Sequence, residues 1–436
     1  MKNTIKMSLV AALAVAGLST TASAGGLEEA IKGVSISGKM EVEYDYSKTT
    51  RTGNTDTTYD AWDIDWDITA KVPVNDNVTA VFGMQGDTDV QTGSADQGVL
   101  ATSGETQIND QSPTVTKVYF QYANGPVTTM VGKQSIGAPW FDDERANGVK
   151  ALFNVGPVTL AAAHFTDANA GPVVGNSVVH DSAVSAALNT STYNDTNLAN
   201  TFGKTSISAV AAIGSFGPVN AQLWYAQLSG IDSTNNAAAA QNQVDADSYV
   251  LMADAKFDIV NVAFKYGVAD YDQDNPGVGY NVLDDDAEML QLVVSADFGV
   301  AAPYIGYGAT DSKQGGAGLD LTNDTDSVMD FGSETLSIDD LDNADAYIVG
   351  VTVPVGKLTL DASYVFGDYD DYLTGGKTVA YGADFEEFLI QADYKMSKNF
   401  TIGAHYSMAE IEDQISAVTK QKVEIDAASI SLEYKF

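Results

Sequence analysis

Glu41, Glu43 and Asp45 stand two apart in the sequence, and Asp63, Asp65 and Asp67 repeat the spacing further on. On an extended chain, residues two apart share one face. Six carboxylates so arranged make a negative wall, which gathers cations by long-range attraction and needs no reactive group. A second acidic run, Asp142, Asp143 and Glu144, leads directly into Arg145, one of two arginines in the chain; the other is Arg51. A third, Asp270-x-Asp272-x-Asp274, offers the hard oxygen ligands that suit calcium. It lacks the EF-hand pattern, because Gly277 is misplaced and position 281 is asparagine. Solvated loop carboxylates are the default reading there, and structural Ca2+ is the alternative. Nucleophilic or metal-assisted catalysis has little to draw on. His164, His180 and His405 are the only histidines, none lies in a Gly-x-Ser-x-Gly or His-Glu-x-x-His context, and cysteine is absent. The residues therefore point away from an enzyme, a disulfide scaffold or a thiolate zinc site.

The 436 residues carry 59 acidic and 22 basic side chains, a formal net charge of −37. Nucleic acid is a poor partner for such a chain, since phosphate binding needs a basic footprint. The 44% hydrophobic fraction is too high for a disordered polyacid. A mean hydropathy of −0.08 argues against a bundle of membrane-spanning helices. Residues 1–24 have the form of a cleaved signal peptide: Lys2 and Lys6, an apolar run from Met7 to Leu18, then Ala22-Ser23-Ala24. The reading thus places an export signal over 1–24, a periplasmic segment over 25–33 and the folded body over 34–436.

The elements that must position the carboxylates are strands. From Val34, apolar Ile36, Met40, Val42, Tyr44 and Tyr46 alternate with Ser35, Ser37, Lys39, Glu41, Glu43 and Asp45. Trp62, Ile64, Trp66, Ile68 and Val72 then alternate with Asp63, Asp65, Asp67, Thr69 and Lys71. A period of two defines half-apolar strands. Their expected length, about 10–13 residues, exceeds the globular mode of about 5–6 and matches a tilted bilayer crossing. Eighteen such segments are expected, starting near 34, 60, 77, 115, 126, 148, 157, 204, 218, 247, 260, 287, 301, 345, 358, 384, 399 and 423.

The connections alternate in length. Short ones carry turn residues, as in Asn124-Gly125, Gly156-Pro157, Ser215-Phe216-Gly217 and Gly356-Lys357. Long polar ones fall near 47–59, 87–114, 167–203, 229–246, 273–286 and 312–343. Short turns on one side and long loops on the other, with an even strand number, are the pattern of an outer-membrane β-barrel. Tyr44, Tyr46, Tyr122, Tyr271, Tyr369 and Tyr394 lie towards strand ends, where interfacial aromatics gather. The chain ends on an alternating strand that finishes with Phe436.

Leu27-Glu28-Glu29-Ala30-Ile31-Lys32-Gly33-Val34, running into Ser37-Gly38, resembles the mature start of Campylobacter-type major outer membrane porins. Val131-Gly132-Lys133-Gln134, followed by an aromatic-acidic stretch and Gly148-Val149-Lys150, is similar to that family's fifth-to-sixth strand region. The resemblance implies an 18-stranded, homotrimeric, cation-preferring diffusion porin in the outer membrane of a Gram-negative bacterium, bedded in lipid and lipopolysaccharide. It also implies an inward-folded loop over about 135–147.

If the apolar parity faces lipid, Glu41, Glu43, Asp45, Asp63, Asp65 and Asp67 line the lumen and concentrate cations. Asp142, Asp143, Glu144 and Arg145, with Lys117 and Lys150 on the polar parity of their strands, are the expected constriction, able to set a transverse field on passing solutes. A substrate-specific channel, or a surface adhesin on the same barrel, is the competing reading.

Overall fold

A computed structural model of the chain describes residues 33–52, 56–86, 89–91, 113–139, 145–168, 205–229, 244–273, 286–312, 343–371, 381–416 and 419–436. The signal-peptide reading and most of the 25–33 segment lie outside them. All regular structure is strand: β1 (Ser35–Arg51), β2 (Thr57–Asn75), β3 (Val78–Gly86, resumed at Asp89–Gln91), β4 (Thr114–Asn124), β5 (Val127–Ser135) and β6 (Arg145–Val155). There follow β7 (Val158–Ala168), β8 (Thr205–Phe216), β9 (Val219–Ser229), β10 (Val244–Phe257), β11 (Val260–Gln273) and β12 (Asp286–Ala296). The last six are β13 (Ala302–Ser312), β14 (Asp345–Val355), β15 (Leu358–Asp371), β16 (Tyr381–Ser397), β17 (Phe400–Ser416) and β18 (Thr419–Lys435).

Each strand pairs antiparallel with its sequence neighbours, and β18 returns to β1, so the eighteen strands close into one barrel. Every expected strand start falls within four residues of the observed one. Closure is forced by the solvent. Hydrocarbon offers backbone N–H and C=O groups no partner, so a spanning sheet cannot keep a free edge. The seam runs from Lys39 opposite Lys435 to Arg51 opposite Val423. Gly38 and Phe436 extend it by exchanging backbone hydrogen bonds of 3.1 and 3.0 Å. The final aromatic ring lies over Gly38, where a Cβ would come within 2.7 Å of Phe436 and 2.4 Å of the Asp67 carbonyl oxygen.

The turns between β4 and β5, β6 and β7, β8 and β9, and β14 and β15 pivot on Gly125, Gly156, Gly217 and Gly356, all at positive φ. The first loop is shorter than expected. β1 and β2 run on to Arg51 and Thr57, leaving only 52–56 where a loop over 47–59 was expected. Lys48 and Asp56 close its base through a 2.8 Å ion pair, and the lysine holds the Asp56 carboxyl below its ordinary range.

One face of the sheet is an exposed apolar belt that includes Met40, Phe120, Val131, Leu223, Ile305 and Ile430. This is the lipid face. Towards the loop end of the barrel the belt stops at tyrosines whose hydroxyls donate to carboxylates on the next strand: Tyr225 to Asp247 (2.6 Å), Tyr266 to Glu288 (3.1 Å) and Tyr406 to Asp426 (3.2 Å). Tyr307 to Asp345 and Tyr364 to Glu386 repeat the arrangement. A ring in the apolar layer with its polar tip in the headgroup layer is what an interfacial tyrosine satisfies. Tyr369 departs from that expectation. It turns inward and packs against Phe385, ring centroids 6.1 Å apart. It belongs to a buried cluster with Ile348, Val365, Ile411, Val423 and Ile425 on the inner parity of β14–β18 near the loops. Polar parity therefore lines the lumen along only part of its height.

Replacing Gly38 with leucine should push Phe436 off its seat and open the seam. Overpacking of this kind costs about 1–3 kcal/mol. The fraction of protein migrating as a heat-modifiable folded band in SDS gels should fall relative to Gly38→Ala.

Candidate functional site

The carboxylates of β1 and β2 meet across the ladder on the inner face. Glu41 stands opposite Asp65, Glu43 opposite Asp63, and Asp67 opposite Lys39, while Asp45 faces Ala61. Directly opposed side chains have Cβ atoms about 4.5–5.5 Å apart, and like charges at that spacing repel. The sequence reading missed what moderates this. Closure brings β18 alongside β1, so Glu433 stands next to Glu41 and Lys435 next to Lys39. Lys39 pairs with Glu41 and, at 3.8 Å, with Glu433; Lys435 holds Glu433 at 2.8 Å. Lys39 was legible as a polar-parity residue, but Glu433 and Lys435 became neighbours of the wall only through the seam. Across the seam Glu43 stands opposite Ser431 and Asp45 opposite Ser429.

The basic side lies on the next strands round. Lys117 on β4 and Lys150 on β6 line one cavity of about 350 Å³ together with Asp67 and Lys71 of β2. Lys117 stands opposite Gly83 on β3, and its stem fills the space a side chain there would take; a Cβ on Gly83 would sit 2.9 Å from that of Lys117. Further round, Gly132 faces Gly148 across β5 and β6. Tyr119 packs over the first and Phe165 over the second, so two aromatic side chains cover two bare stretches of backbone.

Lys150 also fastens the connection between β5 and β6. Its Nζ donates to the carbonyls of Ser135 and Ile136, each at 3.2 Å. Since Lys150 is on the inner parity, those carbonyls face the lumen. Ile136 and Ala138 are buried on either side of Gly137, which bends the chain at a φ of 65°. The connection is shorter at both ends than the 135–147 expected: Ser135 pairs with Arg145, and Gln134 with Ala146, in the β5–β6 ladder. Arg145 thus opens β6 and is a strand residue, while Asp142, Asp143 and Glu144 lie outside the described residues.

Asp270 and Asp272 are also strand residues, near the loop end of β11. Asp274 lies outside the described residues. Among the described residues, no group of three or more histidine, aspartate and glutamate side chains is placed to hold a metal ion.

A family model for the Campylobacter major outer membrane protein matches residues 1–436, the whole chain. The chain belongs to that family. It is therefore an outer-membrane porin, a channel and not an enzyme, of a Gram-negative cell envelope. Solved structures of similar fold include OpdQ of Pseudomonas aeruginosa (TM-score 0.57, 13% identity, covering 94% of this chain and 99% of that one). OpdL of Pseudomonas aeruginosa (TM-score 0.57, 11% identity) and OccAB4 of Acinetobacter baumannii (TM-score 0.55, 12% identity) each cover 92% of this chain and 98% of their own. At that identity the likeness is one of fold alone. No curated protein matches the chain. For this porin the candidate site is the acidic inner face of β1, β2 and β18 together with the lysine-lined cavity beside it.

Lys150→Met should leave the carbonyls of Ser135 and Ile136 without their donor. Losing one partner of a buried hydrogen bond costs about 1–3 kcal/mol. Amide hydrogen exchange at Ile136 and Ala138 should accelerate by about tenfold or more, and open-channel current noise should rise with it.

Proposed function

We propose that this porin is a general diffusion channel for small hydrophilic solutes and ions, and that it prefers cations. The observation that carries this reading is the ladder register of β1 and β2, which puts Glu41 against Asp65 and Glu43 against Asp63 on the inner face. A barrel of this strand number leaves an aqueous lumen. Carboxylates on a low-dielectric wall concentrate counter-ions near them and raise the barrier for anions. The retained repulsion is itself informative. Opposed like charges destabilise a sheet, so a wall selected for stability alone would not pair them.

The inward loop between β5 and β6 is proposed to narrow this lumen. Lys150 draws the loop base towards the pore axis. Asp142, Asp143 and Glu144 would then carry negative charge into the gap, against Lys117, Lys150 and Arg145, and a field across the gap would orient dipolar solutes. A homotrimer in lipopolysaccharide is the assembly proposed for it, on the strength of the family resemblance.

The test is the reversal potential in planar bilayers under a potassium chloride gradient. The native porin should favour K+ over Cl−. Exchanging Glu41, Glu43, Asp63 and Asp65 together for their amides should cut that preference by about threefold or more. A companion variant with Asp142, Asp143 and Glu144 neutralised should also lower the preference. Unchanged reversal potentials in both would sink the cation reading.

A further inference from the structure

β15, β16, β17, β18 and β1 stand side by side, and one row of directly opposed residues crosses them: Asp361, Gln391, His405, Ser429 and Asp45. The next row towards the turns is Thr359, Asp393, Gly403, Ser431 and Glu43. Tyr406 and Met408 are exposed on the lipid side, so His405 belongs to the inner face. The two rows carry the carboxylates of Asp361, Asp45, Asp393 and Glu43, and among their described residues none is a lysine or an arginine. His405 is the group there that can turn positive.

Its closest partner tolerates that change. Nδ1 of the ring lies 3.0 Å from Oγ of Ser429, a residue only 5% exposed. A neutral imidazole can accept at Nδ1 from the hydroxyl, whereas an imidazolium donates to it, and a serine hydroxyl serves in both roles. The ring can therefore gain or lose its proton and keep this contact. The other groups packed against it are polar or acidic. On β16, Gln391 stands opposite the ring, and its Nε2 donates to Asp393 at 3.4 Å. Beyond Gln391, Asp361 accepts from the hydroxyls of Tyr304 and Thr352. Beyond Ser429, Asp45 faces Ala61, and Glu43 faces Asp63. Along the inner parity of β16 the next charges are Glu387 towards the loops, opposite Ala409, and Lys395 towards the turns, opposite Thr401.

Between about pH 5 and 8 histidine is the side chain that changes charge, while carboxylates, which titrate at about 4, stay ionised. Acidification across that range adds a positive charge to a row that holds a carboxylate at either end. Such a charge in an acidic wall lowers the local concentration of cations. We propose that His405 is a selectivity-determining residue of this porin, and that its protonation in a mildly acidic medium weakens the preference for cations over anions. His164 supplies an internal comparison. Its Nδ1 also lies 3.0 Å from a serine hydroxyl, that of Ser208, but it stands opposite the exposed Val149 on the lipid face. The same pair placed there has no view of the lumen. The inference rests on the porin reading and deepens it, since the shift is expected whichever ion the native channel favours.

The experiment measures reversal potentials of the purified porin in planar bilayers under a potassium chloride gradient, at about pH 8 and about pH 5.5. The native permeability ratio of K+ to Cl− should fall about twofold on acidification, as one charge is set among four carboxylates in water. His405→Gln should match the native ratio at the higher pH and hold it at the lower. His405→Lys, charged throughout, should give the lower ratio at both. His164→Gln and His180→Gln should keep the native response. A native ratio that does not move, or a His405→Gln channel that moves as the native one does, overturns the assignment. If His405→Gln forms no channels, His405→Lys decides, and the native ratio at the higher pH in that variant overturns it. A porin that favours K+ without a pH response loses the role of His405 and keeps the cation reading. One that favours Cl−, and does so more strongly in acid through His405, loses the cation reading and keeps the role. Native protein that forms no channel loses both.

Discussion

Everything in this molecule follows from the lack of hydrogen-bond partners in hydrocarbon. A sheet edge in lipid leaves a row of backbone groups unsatisfied, each costing several kcal/mol, so the sheet must find its own end. It does so where β18 runs antiparallel to β1 and the last residue, Phe436, exchanges backbone bonds with Gly38. Once the ends are joined, the pleat does the remaining sorting. One parity must face lipid and the other must face water, so a residue's transport role is decided by whether its number is odd or even along its strand.

The seam also completes the acidic face of the first two strands. Closure adds Glu433 and Lys435 of the last strand to an acidic wall built by the first two. Lys39 reaches both Glu41 and Glu433, and Lys435 holds Glu433. Glu41 opposite Asp65 and Glu43 opposite Asp63 set like charges directly across a ladder, an arrangement that by itself weakens a sheet.

A second trade appears in small residues. Gly83 makes room for the Lys117 stem, and Gly132 and Gly148 carry Tyr119 and Phe165. Glycine in a strand normally weakens it. Here each vacancy is filled by a neighbour's side chain, which restores contact and sets where the polar ends lie around the cavity. Gln134 and Lys150 then fasten the β5–β6 region by donating to backbone carbonyls of Gly148, Ser135 and Ile136.

Strand number, strand starts and face were legible in the sequence because a period of two carries all three, as in Val34–Tyr46 and Trp62–Val72. The positive-φ turns were legible because Gly125, Gly156, Gly217 and Gly356 are residues that only such turns demand. The six carboxylates of β1 and β2 could be grouped because parity alone puts each set of three on one face of its strand. Other features needed the third dimension. Tyr369 looks like an interfacial tyrosine by position, yet it is inward, because near the loops the polarity of the two parities inverts: Val365, Ile411, Val423 and Ile425 turn inward while Asp368, Glu386, Glu410 and Glu424 take the outer parity. Asp270 and Asp272 look like loop ligands, yet they lie in β11, since strands may extend beyond the membrane wherever their neighbours pair with them. The convergence of Lys71, Lys117 and Lys150 depends on which strands become neighbours and how their ladders slide in register. By itself the sequence determined which residues share a face of their strand, since that follows from local geometry. Only the closed tertiary structure decided which distant residues share a level of the pore, because register and closure are set by the whole ladder together.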